Sequence, residues 1–139
     1  MEFIWVEYRE ELVIKKPKLV MANELPSHGF RSMYQVNEIG KVWIEKNGLR
    51  GFSLTGYPVW SDTLFVDFDN NIEAAKQLYA LLKNLGIGFS LYESGNRSYH
   101  FHILRDVEPS PLVPHTDKKW IEKNAPGADT CLYTALHPF

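Results

Sequence analysis

The chain has 139 residues, a length that supports one domain with one sizeable core. Fifteen Lys+Arg against 17 Asp+Glu give a formal net charge of -2, which excludes a broadly basic coat for nucleic acid. Hydrophobic residues at 45% and aromatics at 14% exclude a disordered chain.

No apolar run approaches the roughly 20 residues of a membrane span. Glu2 near the start, with no long apolar stretch, argues against a secretory leader. Cys131 is the single cysteine, so neither an internal disulfide nor a multi-cysteine zinc site is expected. A reducing, cytoplasmic setting fits.

In chain order, residues 3–8 are an aromatic and branched run that reads as a strand. Pro17 and Pro26-Ser27-His28-Gly29 break the pattern. Residues 41–45 and 50–54 read as strands joined at Asn47-Gly48, a strong hairpin signal. After Pro58, residues 63–69 predict another strand. Asn70 or Asn71 caps a helix, in which Ile72, Ala75, Leu78, Leu82 and Leu85 recur at helical spacing. Gly86 and Gly88 end it. Strands follow over 87–92 and 98–104, with a polar turn between. Pro109, Pro111 and Pro114 mark a loop. A short helix over 116–124 is capped by Thr116, Pro126-Gly127 breaks it, and 131–136 reads as a last strand. The expected class is α+β in one domain over 1–139, with a β-rich part over 1–60 and a β-α-β-β part over 61–139. Trp5, Trp43, Trp60 and Trp120 are expected mostly in the core.

Three groups of residues carry chemistry. In Asp67-Phe68-Asp69, strand alternation points both carboxylates one way and Phe68 the other. Paired carboxylates suit a hard cation such as Mg²⁺ or Mn²⁺. In the run Ser94-Gly95-Asn96-Arg97-Ser98-Tyr99-His100-Phe101-His102, alternation puts Ser98, His100 and His102 on one face. Ser94, Gly95, Asn96, Arg97 and Ser98 offer hydroxyls, backbone amides and a guanidinium, the makings of a phosphate cradle. Asp129, after Pro126-Gly127, brings a third carboxylate from a distant part of the chain. If the strands of Asp67 and Ser98 are neighbours, carboxylates and cradle share a face, as phosphoryl or nucleotidyl transfer requires.

These three elements, in this order, resemble the motifs of the archaeo-eukaryotic primases, the catalytic domains of small primase subunits and primase-polymerases. That family has a hydrophobic-Asp-hydrophobic-Asp strand, a Ser-x-His element and a later hydrophobic-Asp. Here Ser98-Tyr99-His100 keeps the Ser-x-His core, and Ala128-Asp129 is the third match. The resemblance covers residues 60 to 139, and Phe30-Arg31-Ser32-Met33-Tyr34 is similar to an Arg-Ser segment of plasmid and phage members. It implies an RRM-like palm, a central, mostly antiparallel sheet covered by helices. It implies that Asp67, Asp69 and Asp129 bind two divalent ions, Mg²⁺ or Mn²⁺. It implies catalytic roles for these aspartates and for His100, which contacts nucleotide phosphates. Ser94, Gly95, Asn96, Arg97 and Ser98 would support the triphosphate, and Arg31 would touch nucleotide or template. The expected partners are single-stranded DNA, an NTP or dNTP, and a replicative helicase or accessory primase domain. No membrane partner is expected, and oligomeric state is left open.

Two other readings compete. His100-Phe101-His102 resembles the His-hydrophobic-His metal site of rolling-circle Rep proteins and relaxases, which nick single-stranded DNA with a tyrosine. Tyr133, or Tyr99, would be that nucleophile. A non-catalytic module that binds single strands through aromatics is the third reading. In the first reading, Arg31, Lys41, Lys46, Arg50, Arg97 and Arg105 supply a local basic patch, and binding is weak and salt-sensitive.

Overall fold

A computed structural model describes residues 2–10, 18–47, 58–94, 97–105, 108–130 and 133. The fold is α+β, with two three-stranded antiparallel sheets and three helices among the described residues. The chain divides into two compact units: residues 1–61, 107–113 and 135–139, and residues 62–106 and 114–134. The second unit begins at residue 62, and residues 107–113 cluster with the first.

The first unit is built on β1 (Trp5–Arg9), β2 (Lys18–Met21) and β3 (Phe30–Arg31), in the order β2-β1-β3. Val6 pairs with Val20, and Tyr8 pairs with both Lys18 and Arg31. Val6, Tyr8, Met33, Tyr34, Val36, Ile44 and Val59 are buried here. Glu7 is buried among them, and its amide donates to Ser32 Oγ at 3.1 Å.

Residues 41–45 are not a strand. They lie inside α1 (Glu38–Asn47). The Asn37 side chain accepts from the Gly40 amide at 2.9 Å, which caps the first turn. Lys41 and Glu45 form an i,i+4 ion pair at 2.9 Å. Gly40 and Ile44, one turn apart, are buried on one side. These local signals outweigh the β-branched composition of Val42 and Ile44. The second arm of the expected hairpin, and Gly48, lie outside the described residues.

The second unit follows the sequence pattern closely. β4 (Thr63–Asp69) leads through the Asn71 cap into α2 (Ile72–Leu85). Asn71 Oδ1 accepts from the Ala74 amide at 3.2 Å. Gly86, at φ 69°, closes α2 with its amide on the Leu82 and Lys83 carbonyls. β5 (Phe89–Glu93) and β6 (Ser98–Leu104) follow, and the sheet order is β4-β6-β5. An antiparallel bridge between Asp67 and Asp129 adds a contact on the other side of β4. With α3 (Val113–Asn124) between β6 and residue 129, this is the split β-α-β pattern in which a later strand lies between two earlier ones.

Side chains on one face of this sheet are packed. Leu64, Val66, Phe68, Phe101 and Ile103 are buried there. Ala75, Leu78 and Leu82 are the buried positions of α2, spaced to cover that face. The Phe68 and Phe101 rings meet edge to face at 5.8 Å. Each such buried apolar side chain contributes about 1.5–3 kcal/mol.

Two expectations are corrected. α3 begins three residues before Thr116, so Thr116 lies inside the helix. Ser110 serves the start instead: its hydroxyl accepts from the Leu112 amide at 3.1 Å. Pro114 fits near a helix start, where its missing N–H has no helical partner to lose. None of Trp5, Trp43, Trp60 and Trp120 is fully buried, and the cores are aliphatic with Phe and Tyr. Of the expected last strand over 131–136, only Tyr133 is described, in a turn with its amide on the Thr130 carbonyl at 3.0 Å.

Candidate metal and phosphate site

The packed face of the second sheet leaves a polar face opposite. Register sets it: Phe65 pairs with His102, Asp67 with His100 and Asp69 with Ser98. The two strands expected to be neighbours are neighbours, so carboxylates and Ser-x-His element face each other pair by pair. Asp129 joins them through the backbone, its amide donating to the Asp67 carbonyl at 2.8 Å. The carboxylates of Asp67, Asp69 and Asp129 each offer an oxygen, and these oxygens lie within 4.8 Å of one another.

This donor set matches a hard divalent cation, which takes oxygen ligands. Two ligands on one Mg²⁺ can be about 4.2 Å apart at most, twice an Mg–O distance of about 2.1 Å. The oxygens lie within 4.8 Å of one another, so slight closure would bring all three within reach of one such ion. No cysteine lies among the described residues, and the set holds no histidine.

The charge of the site shows in Asp67. Burial raises its carboxyl above the usual carboxylate range; His100 works against this, and Asp69 and Asp129 add to it. His100 Nε2 is 3.2 Å from Asp67 Oδ1. His102, further along the strand, is held below its usual value by burial and by His100. Its ring lies 4.7 Å from the rings of both Phe65 and Tyr92.

Ser98 does something the sequence did not suggest. Its hydroxyl donates to Asp69 Oδ1 at 2.8 Å, so it holds a carboxylate in place. Ser94 closes the turn: its amide donates to the Ser98 carbonyl at 2.9 Å, and its oxygen accepts from the Ser98 amide at 3.2 Å. Arg97 in that turn is exposed and adopts φ 62°, a left-handed conformation rare outside glycine. Its carbonyl accepts from Asn70, itself at φ 48°, at 3.2 Å. Two unusual backbone residues therefore meet beside the acidic set. Gly95 and Asn96 lie outside the described residues.

Arg31 is not among the residues that the second unit brings together. It lies on β3 of the first unit, where its Nε donates to the Ser32 carbonyl at 3.2 Å. There it lines a cavity of about 140 Å³ with Tyr8 and His28. Arg105 is not available to a basic patch either, because it pairs with the buried Asp117. Lys41 pairs with Glu45 and lies 4.5 Å from the centre of the Trp5 ring. Arg50 lies outside the described residues.

Tyr133 is buried, and its hydroxyl donates to the Phe65 carbonyl. Burial pushes that hydroxyl's proton affinity up. It pins the segment after Asp129 to β4. Tyr99 pairs in register with Phe68, on the face that α2 covers.

No protein-family model, curated protein or solved structure matches the chain. Among the described residues, no helix is long and apolar enough to cross a membrane.

Proposed function

We propose that the second unit is the catalytic core of a primase or primase-polymerase. The reaction is transfer of a nucleotide from an NTP or dNTP to a 3′-hydroxyl on a single-stranded DNA template. One observation carries the reading. Asp67, Asp69 and Asp129 converge within 4.8 Å, and His100 and Ser98 pair across the ladder with the first two.

Asp67, Asp69 and Asp129 would hold two divalent ions, Mg²⁺ or Mn²⁺. Such ions supply Lewis-acid charge that activates a hydroxyl and neutralises phosphate. The residues provide the rest. Ser98 orients Asp69, and Asp67 fixes His100 near the phosphates. Arg97, exposed in the turn, neutralises the outer phosphates. The 3′-oxygen would bond to the α-phosphorus as the bond from that phosphorus to the α,β-bridging oxygen breaks; pyrophosphate would leave, and the hydroxyl proton would pass to solvent. A helicase or an accessory primase domain would supply what a replicon needs beyond this core.

Of the two tyrosines that the nicking alternative would use, Tyr133 is buried with its hydroxyl engaged and Tyr99 is half-buried on the face that α2 covers, which favours the transfer reading. The test is incorporation of labelled nucleotide on primed and unprimed single-stranded templates, with Mg²⁺ or Mn²⁺. Incorporation is expected, and Asp67→Ala should abolish it with the circular dichroism spectrum unchanged. Full activity in that variant would overturn the reading.

A further inference from the structure

We propose that Tyr92, with His102 and Phe65 beside it, forms a stacking subsite for the base of the nucleotide whose phosphates lie at the acidic set. This rests on the reading above and adds the part of the ligand that the carboxylates cannot recognise.

The ladder gives the bound nucleotide a direction. Along β4 and β6 the paired positions run Asp69 with Ser98, then Asp67 with His100, then Phe65 with His102. Successive pairs on one face are about 7 Å apart, two strand residues at about 3.4 Å each. Arg97, exposed next to Ser98, lies at the Asp69 end, where its guanidinium can meet the outer phosphates. A sugar spans one such step, so the base falls at the Phe65 and His102 end.

The side chains at that end are rings. His102 meets Phe65 edge to face at 4.7 Å, and Tyr92 at 4.7 Å with a tilt of 48°. Tyr92 stands on β5 in register with His100, so it belongs to the same face of the sheet. It is 54% exposed, so one part of the ring is open to a ligand while another meets His102. An exposed ring fixed on a sheet beside a phosphate site is how flat heterocycles are held without sequence preference. An aromatic contact of this kind tolerates all four bases, as a templated reaction demands.

The experiment compares ATP and inorganic tripolyphosphate, each with Mn²⁺, by titration calorimetry on the full chain. Stacking of one base strengthens binding by about five- to 150-fold, so ATP should bind tighter than tripolyphosphate by a ratio in that range. Tyr92→Ala should bring the ratio close to one and leave tripolyphosphate affinity within about twofold. Tyr92→Phe should keep the ratio. Tyr79→Ala, an exposed tyrosine on α2, should also keep it.

An unchanged ratio in Tyr92→Ala overturns the subsite. So does a variant that loses affinity for single-stranded DNA and keeps the ratio, which assigns the ring to the template. A wild-type chain that binds tripolyphosphate and ATP equally overturns the subsite alone. A chain that binds neither overturns the metal and phosphate reading, and the subsite with it.

Discussion

Asp67 is where the tension of the site concentrates. Its carboxyl is held above the usual range by burial, and Asp69 and Asp129 add to that against the pull of His100. A carboxyl raised in the folded state favours folding when protonated. The metal-free chain therefore loses stability as pH rises from the ordinary carboxylate range through the raised value of Asp67. Asp67→Asn removes that charge. It should raise the metal-free melting temperature by a few degrees at neutral pH and abolish the stabilisation by Mn²⁺ that the proposed metal site predicts for the parent chain. Thermal melts with and without Mn²⁺ at two pH values check both. The alternation of Asp67-Phe68-Asp69 made this residue readable in the sequence. The bond from Ser98 to Asp69 was not, because a hydroxyl beside a glycine-containing turn looks the same whether it serves a phosphate or a carboxylate.

Among the elements, those with period and cap together were readable. β4, α2 and β6 lie where the alternation of 63–69, the Asn71 cap and the alternation of 98–104 put them. α1 was misread because Val42, Trp43 and Ile44 suit a strand by composition, and the deciding cap is the preceding Asn37. The Asp129 loop depends on another detail that composition hides. Gly127 adopts φ 91°, and a Cβ there would lie 2.9 Å from Asn71 Nδ2 and 3.4 Å from Ala74 Cβ. The loop thus rests on the N-terminus of α2, two residues before Asp129. Gly127→Ala should destabilise the chain by about 1–3 kcal/mol and weaken Mn²⁺ binding as Asp129 is displaced. Gly86→Ala is the contrast. Its φ of 69° is also left-handed, but open space surrounds the position, so it should lose about 1 kcal/mol and keep Mn²⁺ affinity. Denaturant midpoints and Mn²⁺ titrations on both variants separate the two effects.

For the whole molecule, the net charge of -2 sets the terms of any contact with DNA. Arg105 and Lys41, counted by the sequence toward a basic patch, are spent on Asp117 and Glu45. That thins the expected patch, and the three site aspartates repel a phosphate backbone until they are neutralised. Binding to single-stranded DNA should therefore be undetectable at moderate salt without a divalent ion. It should appear with Mn²⁺ and nucleotide, and fall steeply as salt rises. Fluorescence anisotropy across a salt series measures this, and tight binding to metal-free duplex would contradict it. Pairing between distant charges such as Arg105 and Asp117 depends on tertiary structure, which is why counting basic residues along the chain overstated the patch.

The third carboxylate is delivered by a main-chain bond. The Asp129 amide is tied to the Asp67 carbonyl, and Tyr133 fastens the same segment to β4 at Phe65. At the proposed metal site, fraying of this strap and loss of a third ligand would be one event, so occupancy could be timed by proton exchange. The Asp129 amide should exchange with deuterium more slowly when Mg²⁺ is added, while the Leu82 amide on α2 keeps its rate.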